Sequence, residues 1–478
     1  MNSKLVKCIL PVAVGLLIWA IPTPEGLSPD AWTYLALFIA VVIGLIIEPV
    51  PSALVGLIGV VVAVGLKIGA PIPQSGVISD SAAINWGLSG FSNSTIWLIF
   101  AAFMMAAGYE KSGLGRRISL IMVKKLGKTS LGLGYAILFA ETILAPFIPS
   151  NSARSGGILF PIVKNIPVIY GSYPDKEPRK IGAYIVWVSL LSTCVTSSLF
   201  YTGLAPNLLA SSIMAEQGIT FTWFEWFKYI APAGILLLLA SPILTYIIYP
   251  PTMKSAPEAP IWAGEELKKL GPISTKEKLM AFSAVMALVL WIGSSTFKIN
   301  GTTTAMLVLV FITLAGIISW DDIIGNKAAW NILLWFGTLV TLASGLRNVG
   351  FLKWFASQSG SMLEGSSPMV IMVALVLIFY FSHYFFASVT SHTTAMLALF
   401  ISVAASVPGV DVRMTSLLMA YTLGFMGILT PYGTGPSPIW YGLGYIPTGK
   451  FWALGAIFGL IFIVVFLALT VPWMTMIM

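Results

Sequence analysis

Between Gly365 and Val410 the chain runs for 46 residues without an Asp, Glu, Lys or Arg. About 20 apolar residues suffice to cross a bilayer as one helix. The stretch is therefore too long for one simple span, and polar Ser and Thr residues interrupt its middle. Residues 181–215 and 414–449 share both traits. Irregular backbone at membrane depth is tolerated only where it is buried in protein or lines a water-filled cavity, so these segments read as broken helices or re-entrant hairpins. Shorter uncharged stretches cover 8–24, 31–47, 49–66, 81–109, 229–253, 279–297, 299–320, 328–346 and 451–478. With 57% hydrophobic and 9% charged residues, 18 acids and 26 bases cannot clothe 478 residues of soluble domains. A soluble enzyme and a nucleic-acid binder are excluded. The expectation is an all-α polytopic membrane protein.

Charge sets the orientation, because cytoplasmic loops retain Lys and Arg. Residues 110–128 hold Lys111, Arg116, Arg117, Lys124, Lys125 and Lys128 against one acid, Glu110, and read as a basic amphipathic helix on the cytoplasmic surface. The polar segment 254–278, with five lysines and four glutamates, reads as a cytoplasmic linker between two halves. Lys4 and Lys7 place the N-terminus inside as well, ahead of a retained first span at 8–22. Cys8 and Cys194 offer neither a disulfide framework nor a metal cluster.

The halves resemble each other. Thr95–Leu114 matches Ile332–Phe351 at a fixed offset, pairing Gly108 with Gly345 and Gly113 with Gly350. Each match follows apolar spans and precedes an interrupted apolar region with a Ser-centred motif. Counted from the basic loops, the repeats are inverted, with about 11 full spans and two re-entrant hairpins. The divisions expected are 1–30 (first span and external loop), 31–253 (first repeat), 254–278 (linker) and 279–478 (second repeat). The N-terminus is then cytoplasmic and the C-terminus external. Inverted repeats with interrupted helices mark secondary transporters whose site lies near the midplane.

The first hairpin tip reads Pro146-Phe-Ile-Pro149-Ser150-Asn151-Ser152-Ala-Arg154-Ser155-Gly156-Gly157. Prolines end one half-helix and small polar residues open the next, whose free N–H groups suit a carboxylate. Arg154, four residues beyond Ser150, falls on the same face of a helix. An intramembrane cation among polar donors marks a functional site; the plain alternative is a cytoplasmic loop with a solvated arginine. Glu141, in the arm before the tip, either pairs with Arg154 or lies at the headgroups. The second tip reads Ser388-Val-Thr390-Ser391-His392-Thr393-Thr394, with Ser391-His392-Thr393 as counterpart of Ser150-Asn151-Ser152. His392 is the functional candidate of the two histidines; His383, without a counterpart in the first half, reads as an ordinary buried histidine. Two Gly/Pro-rich breaks follow the tips, one around Gly203 and one from Leu429 to Pro438. Backbone freed at such breaks can face a ligand.

The paired tips and the stretch LTPYGTGPSPIWYGLGYI at 429–446 resemble the divalent anion/sodium symporter family. The likeness is strongest to its branch of plastid 2-oxoglutarate/malate translocators and bacterial citrate/succinate and tartrate/succinate exchangers. The resemblance covers essentially the whole chain. It implies a homodimer in a plasma (inner) membrane, with a scaffold domain and a transport domain that moves as an elevator. In the sodium-coupled members both tips read Ser-Asn-Thr and hold substrate carboxylates and sodium ions. Carried over, the substrate-binding residues are Ser150, Asn151 and Ser152, Gly203, Ser391, His392 and Thr393, with Thr430 and Pro431.

His392 stands where those members have asparagine, and Arg154 adds a cation beside the first motif. A dianion cannot be buried without countercharge. The expectation is that Arg154 and His392 replace sodium, are neutralised when substrate is bound, and lie unpaired otherwise. That predicts obligate, sodium-independent exchange of small dicarboxylate anions, with no catalytic residue, metal or cofactor. The alternatives are a sodium-coupled symporter of the same fold and, from another class, an intramembrane serine protease suggested by Gly87-Leu88-Ser89-Gly90. A channel is disfavoured because no acidic ring or repeated filter sequence is present.

Overall fold

The structure, a computed structural model, describes residues 3–74, 76–362 and 365–478. Lys4, one of the lysines that place the N-terminus inside, lies outside the described side chains. Among the described residues the chain is helical, with no strand beyond an isolated bridge between Thr129 and Ser255. Seven helices are long and apolar enough to cross a membrane, or eight if a bent pair counts as one span. Shorter apolar helices accompany them, among them Ser52–Gly65, Ser130–Leu144 and Gly301–Leu314. The stretch 81–109 is that bent pair. Asp80–Ser92 and Ser94–Ser112 meet at 42°, and the Asn93 side chain accepts from the Thr95 N–H at 2.9 Å to start the second piece.

The chain divides into two compact units, each drawn from three stretches. The first comprises Met1–Phe100, Leu208–Thr220 and Lys327–Ala420. Its long helix Lys327–Asn348 receives hydrogen bonds from distant parts of the unit. Tyr34 donates to the Leu342 carbonyl at 2.8 Å, and the Trp86 indole donates to Ser344 Oγ at 3.1 Å. Gly345 permits this approach, since a Cβ there would lie 2.0 Å from the Tyr34 hydroxyl oxygen.

The second unit comprises Ala101–Asn207, Phe221–Asn326 and Tyr421–Met478. Every residue of its helix Gly182–Leu199 is buried. Around it pack the hairpin arm Ser130–Leu144 and the long helix Trp223–Ile248. Buried tryptophans and tyrosines there find carbonyl partners, as their polar ends require: Trp226 donates to Ser198 O at 3.0 Å and Tyr421 to Trp226 O at 2.9 Å. The basic amphipathic segment forms the helix Leu114–Leu126. The linker is more ordered than a loop: it carries the helix Glu258–Leu270, with Glu258 in its first turn and Lys268 and Lys269 in its last, as the helix dipole favours. This helix packs on Leu114–Leu126. Ion pairs Arg116–Glu266 at 2.9 Å and Arg117–Glu277 at 2.5 Å tie the region together.

The same succession of elements occurs twice: apolar helices, a left-handed glycine, an amphipathic helix, a hairpin, then a broken span. The matched glycines bear this out, with φ of 79° at Gly113 and 83° at Gly350, each joining an apolar helix to an amphipathic one.

Candidate functional site

In the second unit the arm Ser130–Leu144 ends ahead of the Pro146–Pro149 turn, and the chain re-enters helical structure at Asn151. Ser150 Oγ accepts from the Ala153 N–H at 3.2 Å. The return arm opens as a π-helix, Ser152–Leu159, a form rare in proteins and frequent at functional sites. The first tip lies against the second break. Asn151 Nδ2 donates to Thr434 Oγ1 at 2.8 Å, and the Trp440 indole donates to Ser155 Oγ at 2.9 Å. Gly435 makes room for the tip, since a Cβ there would lie 1.9 Å from Ser152 Oγ. Thr430 and Pro431 are buried at this break, and Thr430 Oγ1 has no hydrogen-bond partner.

Arg154 is wholly buried. Its Nε donates to Glu141 Oε1 at 2.5 Å. Its Nη1 donates to the carbonyls of Ile148 at 2.5 Å and Gly203 at 2.9 Å. Its Nη2 lies 3.3–3.4 Å from the hydroxyls of Thr193, Thr196 and Ser197. The guanidinium thus sits in a cage of six oxygens that joins the first tip to the first break through Gly203. One expectation needs correction. Arg154 was to lie unpaired without substrate, yet the pairing with Glu141 that the sequence offered is present, and Glu141, equally buried, balances its charge. The reason is geometric: the turn at Pro146–Pro149 folds the tip back along its own arm, so residues 13 apart meet. Glu141 Oε2 has no partner.

Two residues quoted only as part of the first break hold it in shape. Thr202 donates to the Pro146 carbonyl at 2.5 Å, and Asn207 Nδ2 donates to Ser197 O at 2.7 Å. Their positions flanking Gly203 and Pro206 were the available signal.

The second tip belongs to the first unit. Ser388 caps the helix Val389–Ser406, so Ser391, His392 and Thr393 lie in its first turns, all buried. The Thr393 hydroxyl donates to Val389 O at 2.8 Å. His392 Nε2 lies 3.1 Å from Ser382 Oγ. Its ring stacks on Phe379 and Phe386, with centroids 4.4 and 4.8 Å away, and on His383 at 5.3 Å. His383, set aside in the sequence, is therefore a direct neighbour of His392.

The family model described as "Sodium:sulfate symporter transmembrane region" matches residues 2–478. The chain belongs to this family, the divalent anion/sodium symporters. Among its curated relatives are the L-tartrate/succinate antiporters of Escherichia coli (strain K12) and Shigella sonnei (strain Ss046). Each is 46% identical over 479 residues, covering 99% of this chain and 98% of the relative. The crystal structure of the Alcanivorax borkumensis YdaH transporter is similar in fold, with a TM-score of 0.58 and 12% identity, covering 94% of this chain and 99% of that one. This symporter-family chain is a membrane transporter and not an enzyme. The Gly-x-Ser-Gly stretch has a structural explanation: Ser89 donates to Trp86 O at 2.7 Å, and a Cβ at Gly90 would lie 1.9 Å from Gly337 O.

Proposed function

We propose that the protein is a sodium-independent exchanger of C4 and C5 dicarboxylates such as succinate, malate and 2-oxoglutarate. In this reading it works by an elevator movement as a homodimer in the bacterial inner membrane, with its N-terminus cytoplasmic. The observation that carries the reading is the Arg154 guanidinium in its cage of oxygens. Carbonyls and hydroxyls converging at helix breaks are the kind of place where a coupling ion binds in secondary transporters. Here a covalently attached cation fills it, so the tip and the break are held together without sodium. A relative named for antiport at 46% identity supports exchange, and its named substrates support a dicarboxylate.

Ser150, Asn151, Ser152, Thr430 and Pro431 are proposed to receive one carboxylate, and Ser391, His392 and Thr393 to act on a carboxylate at the second tip. His392 is proposed to supply countercharge only when a bound carboxylate favours its protonation, since the ring is buried and stacked on His383. Unlike sodium, these groups cannot leave with the substrate. Crossing without an anion would carry the Thr430 hydroxyl unsatisfied, which is costly in a low-dielectric setting. The family description also names sodium symport; in the reading proposed here Arg154 takes the place of that ion at the first tip.

The test uses purified protein in liposomes loaded with succinate, 2-oxoglutarate or nothing. Labelled succinate uptake is followed in sodium and in potassium media. Uptake that requires internal dicarboxylate and is equal in both media is expected. Sodium-driven uptake into empty liposomes would overturn the proposal.

A further inference from the structure

We infer that Lys128, Arg179 and Lys254 form a binding site for the phosphate of an anionic phospholipid at the cytoplasmic end of the helix Trp223–Ile248. This goes beyond the transport reading and does not depend on which anion is carried. The segment that follows this helix, 249–256, is fastened to two other stretches by backbone hydrogen bonds. Ser130 N donates to Lys254 O at 3.0 Å and Ala256 N to Lys128 O at 2.9 Å, while Thr252 N donates to Arg179 O at 3.0 Å. Three cations from separate parts of the second unit are thereby gathered at one place.

These cations are not used up by the protein. Among the described residues none of the three makes a salt bridge, whereas neighbouring Lys180 is taken by Glu177 at 3.4 Å. Arg179 and Lys254 are held over tyrosine faces. The Arg179 guanidinium carbon lies 4.0 Å from the Tyr249 ring centre, and Lys254 Nζ lies 4.2 Å from that of Tyr246. Arg179 Nη2 donates to Pro250 O at 2.7 Å, but its Nε is buried and has no hydrogen-bond partner. A guanidinium oriented by one arm and engaged in no ion pair can offer its remaining outer N–H groups to a phosphate oxygen.

The surroundings point to a lipid rather than a free anion. Tyrosines at a helix end mark the membrane–water boundary. One turn deeper, Ile243 and Ile247 are 43% and 68% exposed, an apolar track for an acyl chain. The amphipathic helices Leu114–Leu126 and Glu258–Leu270 pack together on the same side, and Ile261 of the second is 66% exposed. That is how a helix lies on a membrane surface. Basic pockets beside transmembrane helices on the cytoplasmic side take anionic headgroups in this way.

The test titrates detergent-purified full-length protein with short-chain phosphatidylglycerol, phosphatidylcholine and inorganic phosphate, reading bound lipid by native mass spectrometry and thermal unfolding. Phosphatidylglycerol is expected to bind and to raise the melting temperature, with phosphatidylcholine and phosphate doing neither. Each lysine contributes about fivefold in affinity, so Lys128→Gln/Lys254→Gln should weaken phosphatidylglycerol about thirtyfold. Both lysines are exposed, so the variant keeps the fold. Lys268→Gln/Lys269→Gln, with the same charge change on the nearby helix, should leave binding unchanged. Equal binding of phosphatidylcholine, equal loss in both double variants, undiminished binding by Lys128→Gln/Lys254→Gln, or phosphate reproducing the stabilisation would each overturn the inference.

Discussion

The Arg154–Glu141 pair decides how the first tip is held. Removing one partner of a buried ion pair leaves a charge without compensation and costs about 3–5 kcal/mol, whereas replacing both by neutral groups of similar volume is far milder. Arg154→Met and Glu141→Leu should therefore each lower the melting temperature strongly, while the double variant recovers much of the loss. The three melting temperatures form a cycle, and simple additivity would show that the two side chains do not act as a unit. Exchange should stay low in the double variant, since the ties to Ile148 O and Gly203 O are gone in any case. Thr430 predicts the opposite pattern. Its hydroxyl is buried without a partner, so Thr430→Val should leave stability unchanged or slightly higher. If that hydroxyl serves a carboxylate, the variant should raise the half-saturating succinate concentration about tenfold, the worth of one hydrogen bond to a charged group. An unchanged concentration dependence would remove Thr430 from the site. At this scale the sequence was half legible. Arg154 could be singled out because a cation in an apolar setting is conspicuous, but its partner depended on the angle of the turn between them. Asn151 meeting Thr434 across 283 residues leaves no trace in spacing.

Among the elements, the amphipathic helix Leu114–Leu126 is held by charge and so is the part most open to pH. Glu266, bound by Lys269 and by Arg116 of this helix, is held below the ordinary 4.5. For Glu277, burial pushes its carboxyl up, but hydrogen bonds from Arg117 and Ser274 outweigh this and leave it below the ordinary 4.5. A carboxyl held below its ordinary range contributes stability that is present above that range and lost as pH falls through the folded value. The anchorage of this helix should thus be intact at neutral pH and weaken as pH falls below about 4.5. Hydrogen exchange in 114–126, corrected for its intrinsic pH dependence, should rise over that window. Glu266→Gln/Glu277→Gln should show raised exchange at neutral pH and no step; a step that persists would assign the anchorage to other groups. The breaks and hairpins were legible because Pro, Gly and clustered Ser/Thr cannot continue an apolar helix. The π-helix at Ser152–Leu159 was not, since its hydrogen bonds reach only one residue further than those of an α-helix and no residue pattern marks it. The linker helix was also missed: its apolar face is narrow, and its partner Leu114–Leu126 lies far off in sequence.

For the whole molecule, the distribution of cations makes a claim that reaches beyond any single contact. The helices before the linker, with Val6–Ala20 and Ser52–Gly65 taken as spans, Asp80–Ser92 and Ser94–Ser112 as one bent span and Gly182–Leu199 with Ala205–Ala215 as one broken span, would make an even number of crossings. Those after it, with Val412–Phe425 and Pro436–Tyr441 as one broken span and the hairpin 368–406 returning to its own side, amount to an odd number. The pairing of Lys111 with Asp322 at 2.5 Å agrees, because it brings the end of the fourth crossing and the start of Trp320–Gly325 to one side. The N-terminus and linker should therefore be cytoplasmic and the C-terminus external. Fusions of alkaline phosphatase, active only outside, and of a fluorescent protein that matures only inside check this at three points. The fluorescent fusion should be bright at the N-terminus and at residue 264, and the phosphatase should be active after Met478. A fluorescent C-terminal fusion would change the parity, which would require one hairpin to cross fully or one broken helix to turn back. Either change would break the match between the elements of the second half and those of the first and remove the inverted repeat, and with it the reason to expect a midplane site open to each side in turn.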